Sequence, residues 1–239
     1  MYRVERGIIM AAGTGSRMRP VTLETPKPLV KVNGVRMIDT VIKGLQNNGI
    51  NDIYVVVGYL KERFEELKKD YPGIHIIENP YFDTCNNISS LYMARDYLEN
   101  SIILDGDQII YNDRILEKEF EMSGYNAVWT DDMTDEWLMQ VENSRVTSCS
   151  RTGGKNGWQL YSISRWNRED GKKLKTFLEQ EFEVNNNRQV YWDDVPMFLH
   201  FKDFCLGIKK MSRGDIIEID NIEELAGIDE HYKKYIVED

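Results

Sequence analysis

The chain predicts an α/β fold, a three-layer sheet-and-helix core of Rossmann-like type with a small β-rich insertion, and three observations carry that reading. Through the first half, short apolar runs rich in β-branched residues alternate with stretches whose apolar residues recur every three or four positions, as in parallel strands joined by helical crossovers. From Ala127 the pattern changes to short alternating strands, with Gly153-Gly154 in a connecting turn. The first apolar run leads straight into a glycine-rich turn, which places a ligand-binding loop at the carboxyl end of a strand.

The elements follow in order. Gly7 to Ala11 reads as the first strand, and Met37 to Asn48 as a helix ended by Gly49, since glycine accepts the left-handed conformation of a helix C-terminus. Strand Ile53 to Val57 precedes a helix over Leu60 to Tyr71, stopped by the Tyr71-Pro72-Gly73 turn. Strand Ile74 to Glu78, helix Ser89 to Leu98 and strand Ser101 to Leu104 complete the first half, and Asn112 to Phe120 also reads as helical. Beyond it come strands Ala127 to Thr130, Leu138 to Glu142, Arg145 to Ser148 and Gly157 to Ile163, then a helix of about four turns over Arg168 to Phe182. Strand Ile216 to Ile219 and a helix beginning Ile222 to Ala226 close the chain. Residues 1–239 are expected to form a single domain, in which about 127–200 includes the β-rich insertion.

Composition narrows the function. A chain of 239 residues can bury a large core without disulfide or metal staples. A formal net charge of -10 argues against nucleic-acid binding, which calls for a basic surface. Three cysteines, Cys85, Cys149 and Cys205, show no metal-ligand spacing and read as reduced thiols of a cytoplasmic protein. No run approaches the ~20 apolar residues of a membrane span, so membrane insertion is not expected. Oligomeric state is left open.

The turn AAGTGSRMRP, followed by Thr25-Pro26-Lys27-Pro28, predicts a nucleoside triphosphate site. Gly13 and Gly15 leave backbone N–H groups unshielded, and Arg17 and Lys27 bring positive charge to the same oxygens. The dinucleotide fingerprint is excluded by Met18 where a third glycine belongs, and the P-loop by the missing Gly-Lys-Ser/Thr.

Two aspartates end apolar strands: Asp107, within Asp105-Gly106-Asp107, and Asp220, after Ile216 to Ile219. Each could cap a following helix. The stretch Asn86-Asn87-Ile88-Ser89-Ser90 offers the donors and acceptors that a pyrimidine edge demands, or else caps a helix. Trp137 beside Glu136, Tyr191 before Asp193, and Glu218 before Asp220 combine aromatic faces with carboxylates, as a pocket for a quaternary ammonium does; core packing is the other reading.

GTGSRMRPVTLETPKPLVKVNG resembles the signature of the nucleotidyltransferases that activate sugar phosphates and alcohol phosphates. Within that family the resemblance is to the bacterial CTP:phosphocholine cytidylyltransferases, and it continues through GINDIYVVVGYLKERFEEL, NNISSLY, DGDQ, DEWLMQV, VYWDD and IIEID. It implies CTP and phosphocholine as substrates, CDP-choline and pyrophosphate as products, and Mg2+ held by Asp107 and Asp220, with Asp105 as the alternative to Asp107. Mg2+ suits such a pair, because it takes few carboxylates and fills its octahedron with water and phosphate oxygens. It further implies that Ala11, Ala12, Gly13, Thr14, Gly15, Ser16, Arg17, Lys27, Gly58, Tyr59, Asn86, Asn87, Ser90 and Asp107 bind the nucleotide, with Arg17, Lys27, Asp107 and Asp220 catalytic. Trp137, Tyr191, Asp193 and Glu218 would bind the acceptor, beneath the β-rich insertion. Phosphoethanolamine, 2-aminoethylphosphonate or a sugar 1-phosphate is the alternative acceptor, and a non-catalytic nucleotide-binding regulatory subunit the alternative class. A phosphomonoester, dianionic near neutrality, needs no general base, in keeping with His75, His200 and His231 lying outside every motif.

Overall fold

The computed structural model describes residues 1–236. A nine-stranded sheet runs through the molecule. Its strands are β1 (Arg6–Ala11), β2 (Asp52–Val57), β3 (Ile74–Glu78), β4 (Ser101–Asp105), β5 (Gly124–Thr130), β6 (Leu138–Glu142), β7 (Arg145–Ser150), β8 (Gly157–Trp166) and β9 (Gly207–Lys210). The four strands of the first half lie in the order β3-β2-β1-β4, all parallel. Their near-continuous apolar runs suit burial on both faces. In β1, Ile9 and Ala11 enter one core with Val55 and Leu104, and Ile8 and Met10 the opposite core with Val56 and Ile103.

Helix α1 (Met37–Asn47) covers the first face through Ile38, Val41, Ile42 and Leu45 and ends at Gly49, whose φ is 73°. Helices α2 (Glu65–Asp70) and α3 (Ile88–Met93) are each shorter than expected, α2 by half. The chain around them is 3-10 turn, at Lys61–Phe64 and Arg95–Tyr97, because Leu60 takes a left-handed φ of 49° and Ala94 leaves the α basin. Helix α4 (Arg168–Glu179) packs on the second face and widens into a π turn at Gln180–Val184. The helix expected over Asn112 to Phe120 is not formed. A 3-10 turn at Asp113–Leu116 gives way to extended Glu117, and Glu119–Phe120 pairs with Tyr2–Arg3. The closing helix is α5 (Ile222–Ile228).

The β-rich part continues this sheet. Strand β8 runs three residues beyond the expected end, and those residues, Ser164 to Trp166, pair antiparallel with β4. Its other edge carries β5 along its length, while β6 takes the remaining half of the first edge. Strand β7 follows β6, and β9, which the sequence did not announce, bridges β7 to β5. Strands β5, β8, β6, β7 and β9 thus close into a ring beside the open parallel half. No helix among the described residues is long and apolar enough to cross a membrane.

Candidate active site

Two adjoining cavities lie beyond the carboxyl ends of β1 and β4. The first, of about 340 Å³, is lined by the loop Gly13 to Arg17, by Lys27 and by Asp105, Asp107 and Asp220. Gly15 has a φ of 60°, and a Cβ there would stand 3.0 Å from Lys27 Cβ and Thr22 Cγ2. Gly13 differs: a Cβ on it would meet nothing within 4 Å, so its bareness leaves open space at the loop. The loop is fastened from behind by Thr22, whose hydroxyl donates to Gly15 O at 2.8 Å, and by Tyr59, whose hydroxyl donates to Thr22 O at 3.0 Å. Tyr59 N–H also donates to Ala12 O. Gly58 is required by packing, since a Cβ would lie 2.6 Å from Phe82. Neither Gly58 nor Tyr59 lines this cavity; both brace it.

Lys27 is 8% exposed, and its ammonium joins Asp107 Oδ2 at 2.6 Å to Asp220 Oδ1 at 3.0 Å. Burial opposes its charge, but the two carboxylates outweigh that and raise its pKa. Arg17, largely exposed, reaches Asp220 Oδ1 at 3.2 Å. The carboxylates converge because the strand Ile216–Glu218 pairs with Gln108–Ile110, Glu218 opposite Gln108. Neither aspartate is a helix cap. Asn221 caps α5 by accepting from Glu224 N, and Asn112 caps the following 3-10 turn. Among the described residues no three His, Cys, Asp or Glu side chains form a protein cage for a metal. Asp107 and Asp220 both meet the Lys27 ammonium and both line the first cavity, and two hard carboxylates so placed fit Mg2+, which keeps most of its ligands from water and phosphate. Gly106 packs between protein groups, its Cβ position lying 3.1 Å from Ile9 and 3.3 Å from Pro28.

The second cavity, of about 280 Å³, shares Asp105, Asp107 and Asp220 with the first. Trp137 and Tyr191 stand in its wall at right angles, ring centres 6.1 Å apart, with Asp193 and Glu218 alongside. The four residues assigned to the acceptor from sequence therefore gather in one place. Glu218 accepts from Gln108 Nε2 at 2.6 Å and from Ser162 Oγ at 3.1 Å. Burial first, then the charge of Asp107, lifts its pKa to about 7. Burial with the charge of Asp194 likewise lifts Asp193 to about 7, and its Oδ1 is buried with no hydrogen-bond partner. Burial also raises Asp105, helped by Asp107, Glu218 and Asp193. Such a cluster of reluctant carboxylates is a place for a cation.

Asn86, Asn87 and Ser90 each make side-chain hydrogen bonds within the protein, while no hydrogen bond among the described residues engages Asn87 Nδ2. Asn87 lines the second cavity, and its Oδ1 accepts from Trp192 N at 2.8 Å. Asn86 Nδ2 donates to Gln189 O, and Ser90 Oγ accepts from Asn79 Nδ2. Asn87 occupies the N-cap position of α3 without a side-chain cap bond. Sequence reasoning passed over the roles of Gln108 and Ser162; Gln108 ends the DGDQ motif, but Ser162 carries no local signal.

Residues 6–122 match the nucleotidyl transferase family profile. The 2-aminoethylphosphonate cytidylyltransferase of Lancefieldella rimae is 37% identical over 94% of this chain and 92% of its own length. The chain belongs to the nucleotidyltransferase family. Within it, this nucleotidyltransferase stands among cytidylyltransferases: the choline-phosphate cytidylyltransferase of Streptococcus pneumoniae is 31% identical over 95% of this chain and 98% of its own length. A solved structure of the CTP:phosphocholine cytidylyltransferase from Streptococcus pneumoniae covers 96% of this chain and 99% of that chain, with 32% identity and a TM-score of 0.88.

Proposed function

We propose that this nucleotidyltransferase transfers the cytidylyl group of CTP to phosphocholine, releasing pyrophosphate and CDP-choline. The observation that carries the reading is the second cavity, where two perpendicular aromatic faces stand among carboxylates one wall away from the glycine loop. A quaternary ammonium has no N–H to donate and is held by ring faces, at ~0.5 to 2 kcal/mol each, and by nearby negative charge. An oxygen of the acceptor phosphate attacks the α-phosphorus of CTP. A new P–O bond forms as the bond to the β-phosphate bridging oxygen breaks, and pyrophosphate carries off the electron pair. The acceptor is already dianionic, so no side chain needs to take a proton. The loop amides and Arg17 hold the triphosphate, and Lys27 neutralises charge where the two anions meet. Asp107 and Asp220 would hold Mg2+, which supplies further neutralisation across both substrates.

A second acceptor, 2-aminoethylphosphonate, is favoured by the 37% identical relative and by carboxylates able to accept hydrogen bonds from a primary ammonium. Pyrophosphate release, measured for each nucleoside triphosphate against phosphocholine, phosphoethanolamine, 2-aminoethylphosphonate and glucose 1-phosphate, decides between them. The reading requires the highest kcat/KM for CTP with phosphocholine. A higher value for 2-aminoethylphosphonate overturns the choline assignment.

A further inference from the structure

The two aromatic walls of the acceptor cavity come from separate segments, Trp137 from just before β6 and Tyr191 from the turn ahead of the π turn Val195–Leu199. One side chain outside the cavity ties them together. Arg151, immediately after β7, donates from Nε to Asp194 Oδ1 at 2.7 Å, with its Nη2 2.5 Å from the same oxygen. Asp194 is only 4% exposed, and its other oxygen accepts from Tyr191 N at 2.9 Å, while Asp194 N donates back to Tyr191 O. The turn that presents Tyr191 is therefore closed around a buried carboxylate whose charge is answered by Arg151. The same guanidinium sits over Phe198, its Cζ 3.7 Å from the ring centre. Phe198 in turn meets Trp137 edge to face at 5.2 Å.

We propose that Arg151 is a specificity-determining positioning residue: by pairing with Asp194 and stacking on Phe198 it fixes Tyr191 and Trp137 at the right angle that admits a trimethylammonium head. The inference rests on the acceptor assignment above. Arg151 touches no substrate and acts through the rings. A carboxylate buried as deeply as Asp194 does not stay in place without its counter-charge, and the ring stack requires a planar cation that neither methionine nor lysine supplies.

The test compares Arg151→Met and Arg151→Lys with wild type. Arg151 is half exposed, and Arg151→Lys, which keeps a positive charge beside Asp194, guards against a variant that merely fails to fold. For Arg151→Met the KM for phosphocholine should rise about tenfold while kcat and the KM for CTP each stay within about twofold. The KM for 2-aminoethylphosphonate should rise less, and Arg151→Lys should fall between. The Trp137 indole N–H resonance, assigned by its loss in Trp137→Phe, should shift in Arg151→Met without ligand, a direct reading of the wall. An unchanged phosphocholine KM with an unmoved indole resonance overturns the proposal. So do parallel losses for CTP and both acceptors, which would mark Arg151 as a general stability residue. If wild type proves to prefer 2-aminoethylphosphonate, the choline reading fails, yet a moved indole with a KM loss confined to the acceptor still supports Arg151 as the positioning residue.

Discussion

Replacing Asp193 by Asn should make the protein more stable and the enzyme worse. The carboxyl of Asp193 has an ordinary pKa of 3.8 and one of about 7 in the folded chain, with burial the main cause and Asp194 adding to it. Between those values the folded state keeps a proton that the unfolded chain has released. Stability from this group is therefore complete below about pH 4, declines as pH rises, and reaches its lowest level above about pH 7. A shift of that size corresponds to at most about 4 kcal/mol, and water entry with local relaxation leaves on the order of 1 to 2 kcal/mol. Asp193→Asn removes the ionisation, so at pH 8 its Tm should exceed wild type by roughly 2 to 8 °C, at ~2 to 4 °C per kcal/mol for a chain of this length. At pH 5.5 the gain should shrink to about half, since only part of the proton difference remains. Acceptor binding should move the other way, with the phosphocholine KM rising about tenfold or more as an anionic partner of the ammonium is lost. Thermal melts at the two pH values and acceptor titrations at saturating CTP supply the data. A variant less stable than wild type at pH 8, or one with an unchanged acceptor KM, would refute the argument that Asp193 is held ready for a cation.

Asp107→Ala and Asp220→Ala should each lower kcat at least about 100-fold, measured by pyrophosphate release, through loss of the proposed Mg2+ site. The Tm of Asp220→Ala should stay near wild type, because Asn221 and not Asp220 caps α5. Lys27→Ala should depress kcat by about 100-fold or more with a smaller rise in the CTP KM, whereas Arg17→Ala should show most of its loss in the CTP KM; equal KM-only effects would remove the distinction. Trp137→Ala should cost on the order of 1 to 3 kcal/mol in kcat/KM for phosphocholine and less for phosphoethanolamine, with Trp137→Phe between. Parallel losses for CTP would instead mark Trp137 as a packing residue.

The parallel half of the fold was legible because its strands, such as Ile53 to Val57, are buried on both faces and so read as unbroken apolar runs. The strands of the second half were legible in alternation, but β9 was not, since Gly207-Ile208-Lys209-Lys210 is too short and too mixed to stand out. The false helix at Asn112 to Phe120 arose from Ile115, Leu116 and Phe120, whose helical spacing is used by a 3-10 turn and a strand that meets Tyr2–Arg3 from far away in sequence. At the candidate site the glycine loop could be read because it is contiguous. The gathering of Trp137, Tyr191, Asp193 and Glu218 needed the family resemblance, as no local pattern links them. Ser162 could not be read at all: its bond is to Glu218, 56 residues further along the chain, not to a sequence neighbour.

Strand β8 has a mechanical consequence. Its last three residues, Ser164 to Trp166, pair with β4 in the parallel half of the sheet, while nearly its whole length pairs with β5 in the ring that carries the proposed acceptor wall. A continuous strand shared by two halves acts as a spar that stiffens the join between them. In the proposed reaction, shielding of the phosphates from water would fall to the segments at the rim, the acidic stretch ahead of Trp137 and the turn around Tyr191. Turnover in such a frame would be limited by loop motion over a rigid floor, and crosslinking the two halves of the sheet should leave catalysis intact where pinning either loop would stop it.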